Sequence, residues 1–308
     1  MSLKIIFMGT PEFSVPILKT LHESEHKLIT IYSQPPKKKL RGHKIIQSPV
    51  HLVANKLNIP IRLPENLNSK EEIEFIKKLN PDVVVVVAYG KILSEEILSL
   101  PGIIFLNIHA SLLPKWRGAA PIQRAIMNRE KETGISIMKI IKELDAGPVM
   151  HVVKLKIDNE TTYESLSNEM SELSAKTILE CLKIIEKKEA KFEPQNNSQA
   201  TYAKKIEKSE TKINWKDNAK NIVAKINALY PTPGTWFKLK GDRIKLLKAK
   251  EILGKGKPGE VIDEKFSIAC SENAIQILRI KKEGKKSMSV DDFLVGNKVK
   301  VGTILDEV

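Results

Sequence analysis

Uninterrupted apolar runs recur through the first half of the chain, and segments with helix-capping signals separate them. The clearest runs are residues 3–8, 28–32, 82–88 and 103–106. Strands that are buried on both faces of a parallel sheet read as continuous apolar runs, so these segments predict central strands. The helices that we expect between them begin at residues that commonly accept N-cap hydrogen bonds, namely Ser14, Ser48 and Ser69. Strands that alternate with helices predict an α/β fold with a Rossmann-like, mostly parallel sheet.

The last third of the chain has a different pattern, with short β-rich runs between glycine and lysine turns. After a helix predicted over 218–229, the runs are 235–239, 244–249, 259–262, 266–270 and 274–280. Short strands at this spacing are typical of a small β-barrel of the OB type. Residues 190–207 are polar and contain a proline, as interdomain linkers do. We therefore expect a Rossmann-like domain at 1–189, a linker at 190–207 and an OB-like barrel at 208–308.

Composition limits the class of protein. The 308 residues are 42% hydrophobic and 29% charged, which supports packed cores and argues against global disorder. No apolar run approaches the roughly 20 residues that span a bilayer, and the first ten residues enter a strand–turn pattern rather than a signal peptide. Neither the two cysteines, Cys181 and Cys270, nor the six histidines have metal-ligand spacing. We expect both cysteines to be buried or inert in a reducing cytoplasm.

Positive charge is concentrated in two parts of the chain. The net charge of +14 suggests a polyanionic partner, nucleic acid before membrane, although a solvated lysine-rich surface is the alternative. Residues 33–64 contain no acidic and seven basic residues, and Pro35, Pro36 and Gly42 predict a loop there. Residues 208–308 contain 21 basic and 13 acidic residues, a net charge of +8. A basic face on an OB-like barrel suits a nucleic-acid backbone, whereas we expect Trp236 to belong to the barrel core.

Two polar residues follow the apolar run at 103–106, where that strand is predicted to end. Asn107 and His109 are two positions apart, which puts both side chains on one face of a strand. The carboxyl edge of an open α/β sheet is where ligands bind. An asparagine amide can donate to an oxygen that becomes negative, and a histidine can exchange a proton near neutral pH. From spacing alone, hydrogen-bonded turn residues are the more common explanation of such a pair.

A longer motif around these two residues carries a resemblance. The stretch NIHASLLPKWRGAAPIQRAI, residues 107–126, resembles the signature of the folate-dependent formyltransferases: Asn-x-His, then Ser-Leu-Leu-Pro, then a basic-Trp-Arg-Gly turn. The later LDAGP supplies the acidic partner of that pattern, Asp145, which by itself reads as a turn residue. Other segments that resemble the family are GTPEF (9–13), VVVAYGKIL (85–93), YPTPGTWF (230–237) and GKKSMS (284–289).

The resemblance implies a role for each of these positions. Asn107 and His109 would bind the formyl oxygen as it becomes negative, and Asp145 would orient His109 and take part in moving a proton. The residues that would contact the folate, partly through their backbone, are Ser111, Leu112, Leu113, Pro114, Tyr89, Gly90 and Ile92. The loop in the stretch SQPPKKKLRGHKIIQSPV, which begins at Ser33, would correspond to a basic insertion that grips the acceptor stem of a transfer RNA through Lys37, Lys38, Lys39, Arg41 and Lys44.

The resemblance also implies a reaction, the transfer of a formyl group from 10-formyltetrahydrofolate to an amine without a metal ion. The basic loop and the basic tail favour the α-amine of initiator methionyl-tRNA as the acceptor. An amino sugar nucleotide is the nearest rival acceptor, because sugar formyltransferases also carry a C-terminal domain. The pattern is also compatible with a hydrolase that uses water, or with a non-enzymatic RNA-binding protein on the same scaffold. We expect a cytoplasmic enzyme that acts as a monomer and does not bind a membrane.

Overall fold

The computed structural model describes residues 2–38 and 45–306, which fall into two compact units. The first unit comprises Met1–Gly118, Gly134–Leu155 and Ser167–Tyr202, and the second comprises Ala119–Thr133, Lys156–Leu166 and Ala203–Val308. The second unit therefore takes two short segments from the middle of the chain in addition to the C-terminal third.

The strands up to residue 156 are β1 (Lys4–Gly9), β2 (Lys27–Tyr32), β3 (Lys37–Lys38), β4 (Ile45–Ile46), β5 (Ile61–Arg62), β6 (Val83–Val87), β7 (Ile104–His109), β8 (Arg117–Gly118), β9 (Glu132–Lys139) and β10 (Val149–Lys156). The helices that accompany and follow them are α1 (Val15–Glu23), α2 (Pro49–Lys56), α3 (Lys70–Leu79), α4 (Glu95–Leu98), α5 (Pro121–Met127) and α6 (Tyr163–Glu186).

The main sheet of the first unit is mostly parallel, with the strand order β10-β9-β7-β6-β1-β2-β5. The pairs β1–β2, β1–β6, β2–β5 and β6–β7 are parallel, whereas β7 and β9 are antiparallel. The chain passes from β1 to β2 on one side and later returns to the other side of β1 as β6. Such a reversal opens a crevice at the carboxyl ends of the strands, where ligands bind in this class of fold. The predicted Rossmann-like, mostly parallel sheet is confirmed.

The apolar runs form these strands because their side chains are buried on both faces of the sheet. All five valines of β6 are buried. On one face, Ile6 and Met8 of β1 pack in a cluster with Ile73 and Ile76 of α3. A strand buried in this way has no solvent-facing positions, so its sequence carries no polar alternation.

Ser14 does not cap α1 in the way the sequence predicts. A short 3-10 turn, Glu12–Ser14, precedes the helix, and the Ser14 side chain makes no cap hydrogen bond. Its hydroxyl instead donates to the carbonyl of Val87 at 2.7 Å. The start of α1 is therefore tied to the end of β6, next to the crevice.

Glu72, in the first turn of α3, makes contacts that the local sequence does not indicate. Ser69 accepts a hydrogen bond from the Glu72 backbone N–H and caps α3 as expected. The buried Glu72 carboxylate accepts from the Tyr32 hydroxyl at 2.9 Å and from Arg62 Nε and Nη2 at 2.8 and 2.6 Å. Arg62 is one of the seven basic residues at 33–64, and this ion pair removes it from those available to a phosphate.

The C-terminal third of the chain forms an antiparallel sheet with two accompanying α-helices. From residue 202 onward the strands are β11 (Tyr202–Ala203), β12 (Thr235–Leu239), β13 (Asp242–Ile252), β14 (Ser267–Ala269), β15 (Ala274–Lys282) and β16 (Met288–Ser289), and the helices are α7 (Ala219–Leu229) and α8 (Val290–Gly296). The sheet order is β12-β13-β15-β14, with β16 paired to β15, which makes a half-barrel rather than a closed one. The run at 259–262 forms only isolated bridges, Glu260 with Ile304 and Val261 with Ile268.

Aromatic side chains fill the core of this half-barrel. Phe237 packs edge to face on Trp215 and on Phe266, and Phe266 stacks on Phe293 of α8. Asn218 caps α7 by accepting from the Asn221 N–H at 2.8 Å, which agrees with the predicted start of that helix. Within residues 2–38 and 45–306, no helix is long and apolar enough to cross a bilayer.

Candidate active site

Asn107 and His109 lie at the carboxyl end of β7, next to the crevice of the sheet. Asn107 is opposite Val86 of the parallel strand β6 and Met138 of the antiparallel strand β9. His109 is 5% exposed, and Asn107 is half-buried. The spacing of two on a regular strand brings both side chains to one face, as the sequence predicts.

Asp145 joins them from the loop between β9 and β10. Its Oδ1 atom accepts a hydrogen bond from Asn107 Nδ2 at 3.3 Å, and its Oδ2 atom accepts one from the Gly118 N–H at 2.8 Å. The same Oδ2 atom is 3.6 Å from His109 Nδ1. The structure thus brings together the three side chains that the sequence motif singles out, from segments up to 38 residues apart.

The imidazole of His109 is held between two oxygen atoms. Its Nε2 atom is 2.9 Å from the Trp116 carbonyl, which can only accept, so Nε2 carries a proton. Its Nδ1 atom faces the Asp145 carboxylate, which also accepts. The ring is therefore fixed in orientation between the Trp116 carbonyl and the Asp145 carboxylate.

Hydrogen bonds hold the loop that follows β7 in one shape. Ser136 donates to the Ser111 carbonyl at 2.7 Å and accepts from the Leu113 N–H at 3.1 Å. Ser111 donates to the Lys115 carbonyl at 2.6 Å. Trp116 has a left-handed φ of 61°, and its N–H donates to the Thr201 hydroxyl at 2.9 Å. These bonds aim the Trp116 carbonyl at His109.

The segment after β6 is organised by two residues that sequence reasoning missed. The Tyr89 carbonyl accepts from the Thr10 hydroxyl at 2.9 Å and from Gln34 Nε2 at 3.0 Å. Gln34 also donates to the Gly90 carbonyl at 3.2 Å. Tyr89 is 1% exposed, and burial raises the pKa of its phenol. The side chain of Ile92, in contrast, is 82% exposed at the same edge of the sheet.

The residues expected to contact RNA fall mostly outside the described structure. Lys39, Arg41 and Lys44 lie outside the described residues, as do the side chains of Lys37 and Lys38. The backbone of the last two forms β3, which pairs antiparallel with β4. The described ends of this segment, 37–38 and 45–46, therefore form a short β ladder, and the predicted loop between them lies outside the described residues.

Trp236 does not belong to the core of the half-barrel, so that expectation is wrong. It is half-buried on the face of β12 opposite Phe237, because neighbouring residues of a strand point to opposite faces. The Arg243 guanidinium carbon is 4.2 Å from the centre of its ring. Lys245, opposite Trp236 in the ladder, is in turn opposite Lys281. Burial lowers the pKa of Lys245, and the charges of Arg243 and Lys281 lower it further.

Both cysteines are buried, as expected. Burial raises the pKa of Cys181 and of Cys270 to about 12, so neither thiol is a nucleophile at neutral pH. Among the described residues, no three His, Cys, Asp or Glu side chains are grouped as a metal site would require.

Comparison with known proteins identifies the family. The formyl transferase family model matches residues 3–182, and the model for the formyl transferase C-terminal domain matches residues 205–298. The methionyl-tRNA formyltransferase of Pelagibacter ubique is 48% identical over 310 residues and covers 100% of both chains. That of Paramagnetospirillum magneticum is 42% identical and covers 98% of this chain and 100% of its own.

Solved structures agree with the fold. HypX from Aquifex aeolicus, crystallised with tetrahydrofolic acid, superposes with a TM-score of 0.67 at 20% identity, over 98% of this chain and 51% of its own. WlaRD, a sugar 3N-formyl transferase, gives 0.65 at 20% identity, over 93% of this chain and 100% of its own. At these identities the likeness concerns the fold alone. The full-length relatives, however, are far more similar, and the chain belongs to the methionyl-tRNA formyltransferase family.

Proposed function

We propose that Asn107, His109 and Asp145 carry out the transfer of a formyl group to the α-amine of methionyl-tRNA. Membership of the family assigns the overall reaction, and the chain is a formyltransferase. The observation that carries the proposed site is the Asp145 carboxylate, which accepts from Asn107 Nδ2 and faces His109 Nδ1 at the carboxyl edge of the sheet. An amide donor, an imidazole and a carboxylate in contact can stabilise negative charge and move a proton.

Asn107 acts as a donor to the formyl oxygen. One hydrogen of its amide group is directed to Asp145, which fixes the orientation of the amide because a carboxylate only accepts. The second hydrogen on the same nitrogen remains for the substrate. A donor that is already oriented stabilises the developing charge without reorganisation, which is the origin of most catalysis of this type.

His109 and Asp145 manage charge and protons. His109 lies beside Asn107 on the same face of the strand as a second polar group for the formyl oxygen, and its Nδ1 atom is 3.6 Å from the Asp145 carboxylate. The amine of methionyl-tRNA attacks as the neutral base and then loses a proton. Asp145 takes part in moving that proton, through His109 or through water, to the folate nitrogen, which needs a proton as its bond to the formyl carbon breaks.

The formyl donor is 10-formyltetrahydrofolate, which supplies an activated one-carbon group. Ile92 and the turn at Tyr89 and Gly90 offer an exposed apolar side chain beside backbone groups, which suits a flat heteroaromatic ring with a hydrogen-bonding edge. Residues 111–114 form the facing loop after β7. We assign folate contacts to the backbone of Tyr89 and Gly90, to Ile92, and to Ser111, Leu112, Leu113 and Pro114.

The RNA acceptor is bound by positive charge. The loop with Lys37, Lys38, Lys39, Arg41 and Lys44 belongs to a segment without acidic residues, and the net charge of residues 208–308 is +8. On the half-barrel, Trp236, Lys245 and Lys281 form one row across three strands. An aromatic ring among cations suits a single-stranded or helical RNA backbone. We assign the loop to the acceptor arm of initiator tRNA.

The decisive experiment offers 10-formyltetrahydrofolate together with charged methionyl-tRNA, free methionine and an amino sugar nucleotide. Rapid formylation of the charged tRNA alone is expected. Formylation of the sugar nucleotide instead, or hydrolysis of the folate without an acceptor, would contradict the proposed acceptor but keep the catalytic residues. Absence of any folate turnover would contradict both.

A further inference from the structure

A segment that the sequence marks only as a linker packs against the loop that carries Asp145. Glu193 and Val149 exchange two backbone hydrogen bonds, each 2.8 Å long. Residues 193–197 therefore run alongside the beginning of β10, just after the Asp145 loop. All of these residues belong to the first unit.

The side-chain amide of Gln195 connects this loop with Arg117. Its Nε2 atom donates to the Asp145 carbonyl at 2.9 Å and to the Gly147 carbonyl at 2.7 Å. Its Oε1 atom accepts from Arg117 Nε at 3.0 Å and Nη2 at 2.7 Å. Carbonyls only accept and a guanidinium only donates, so the partners determine which way the amide points. Among side chains of this length, only that of glutamine carries both an NH2 donor and an oxygen acceptor on its terminal group.

Arg117 closes a ring of contacts around Asp145. It is 4% exposed, and its Nη2 atom also donates to the Asn197 side chain at 2.7 Å. Gly118, the next residue, donates its backbone N–H to the Asp145 carboxylate. Gln195 therefore holds the backbone of Asp145 directly. Through Arg117 it also holds the short strand β8, whose Gly118 N–H bonds to the Asp145 side chain.

The loop needs such support because its backbone is not in a common conformation. Asp145 has a φ of 49°, in the left-handed region that non-glycine residues rarely adopt. A Cβ atom on Gly147 would collide with the Lys139 carbonyl, so the loop lies flat against the end of β9. The loop therefore has few alternative conformations. In the observed conformation, the Gln195 amide donates to the carbonyls of Asp145 and Gly147.

We propose that Gln195 is a positioning residue for the formyl transfer, which sets the Asp145 carboxylate relative to Asn107 and His109. The inference rests on the proposed role of Asp145. Gln195 does not touch the reacting atoms and acts only through the loop.

The test is Gln195→Glu in the full-length enzyme. This variant has the same shape and keeps an acceptor for Arg117, but it faces two carbonyls with an oxygen instead of an N–H. Changes in residues that orient catalytic groups typically cost about 10- to 100-fold in activity. We expect kcat to fall by that factor, while KM for the folate and for the tRNA stays within about twofold and the melting temperature stays close to wild type.

Gln199→Glu is the matched control. Gln199 is an exposed glutamine of the same segment, so it receives the same change of charge and shape. Its kcat is expected to equal that of the wild type. If Gln195→Glu is folded and turns over as fast as Gln199→Glu, the inference is overturned. If Gln195→Glu does not fold, Gln195→Asn replaces it in the test, because it shortens the side chain but keeps both amide groups. This variant is expected to give a smaller loss of kcat. A wild-type kcat for Gln195→Asn would also overturn the inference.

A double-variant cycle distinguishes positioning from a general structural effect. If Gln195 acts through Asp145, the variant that combines Gln195→Glu with Asp145→Asn should be within about twofold of Asp145→Asn alone. Independent losses that multiply would contradict the inference. If Asp145→Asn alone kept the wild-type kcat, the proposed role of Asp145 would be contradicted. Failure of the inference about Gln195 can therefore be distinguished from failure of the proposed function.

Discussion

At the scale of single residues, the Asp145 carboxylate is held from two sides, by the side chain of Asn107 and by the backbone N–H of Gly118. A residue that only forms a turn would not need a hydrogen bond from a side chain at the end of a strand. The same carboxylate faces His109, so one group contacts both the amide and the imidazole. The proposed chemistry therefore depends on a few atoms whose spacing is set by three separate segments.

Asn107→Ala removes the amide donor and should lower kcat by about 10²- to 10³-fold, the usual loss for one donor to a developing oxyanion. His109→Ala and Asp145→Ala are also expected to lower turnover by orders of magnitude. Single-turnover formylation of charged methionyl-tRNA measures each effect, and thermal unfolding checks the fold. Asn55→Ala, on the exposed surface of α2, is the control and should behave as wild type. A kcat near wild type for Asn107→Ala would remove it from the mechanism.

At the scale of elements, polar side chains connect strands and helices that periodicity alone leaves unconnected. Ser14 ties α1 to β6, and Ser136 of β9 holds the loop after β7. Glu72 of α3 connects Tyr32 of β2 with Arg62 of β5. Burial and the Glu72 charge raise the pKa of the Tyr32 phenol, so Tyr32 remains a donor at every physiological pH.

Glu72→Gln should destabilise the fold by about 1–3 kcal/mol, because it weakens a buried, charge-assisted network. Glu71→Gln is the matched control: Glu71 also bonds to Arg62, at 3.0 Å, but its side chain is 82% exposed. An exposed pair is worth at most about 1 kcal/mol. Urea unfolding of both variants measures the difference. Equal midpoints would mean that burial of the Glu72 pair does not matter.

The basic loop is an element whose role rests on charge. Replacing Lys37, Lys38, Lys39 and Arg41 together by alanine should raise KM for the tRNA and flatten its dependence on salt, because each lost phosphate contact reduces the slope by about 0.7–0.9. The control replaces four exposed lysines elsewhere in the chain, namely Lys19, Lys78, Lys183 and Lys187. The measurement is KM for the tRNA over a series of salt concentrations, for both sets of variants. The loop does not bind phosphate if both sets of variants have the same slope.

At the scale of the whole molecule, the chain combines the proposed folate site with a large positive charge that a small substrate does not need. The net charge of +14 is divided between residues far apart in sequence. On the half-barrel the row of Trp236, Lys245 and Lys281 concentrates it on one face of a sheet. Repulsion from Arg243 and Lys281 adds to the effect of burial in lowering the pKa of Lys245, so an anion on this face would relieve that repulsion.

Replacing Lys245 and Lys281 together by alanine should therefore raise KM for the tRNA on the order of tenfold at low salt and leave kcat at saturating tRNA unchanged. The matched control replaces Lys216 and Lys220, two exposed lysines of the same unit that lie outside this sheet. Steady-state formylation at several tRNA concentrations separates the two parameters. A wild-type KM for the first pair would mean that this face does not bind RNA.

The strands, the helices and the position of Asn107 and His109 at a strand end follow from the sequence by itself. Continuous apolar runs, capping residues and a spacing of two are local properties of the sequence. They set which side chains of a strand share a face, whatever the strand packs against. The motif around residues 107–126 also contains two of the proposed catalytic groups, an amide and an imidazole, and the later LDAGP supplies the carboxylate.

Only the tertiary structure decided which polar side chains meet. Gln195 lies 50 residues from Asp145, and Glu72 lies 40 residues from Tyr32, so nothing in the local pattern connects them. The sequence predicts the wrong face for Trp236 because an aromatic residue in a strand fits a core and a cation-lined surface equally well. Local periodicity sets which face of an element is buried, whereas the partner of a buried polar group depends on packing between distant segments.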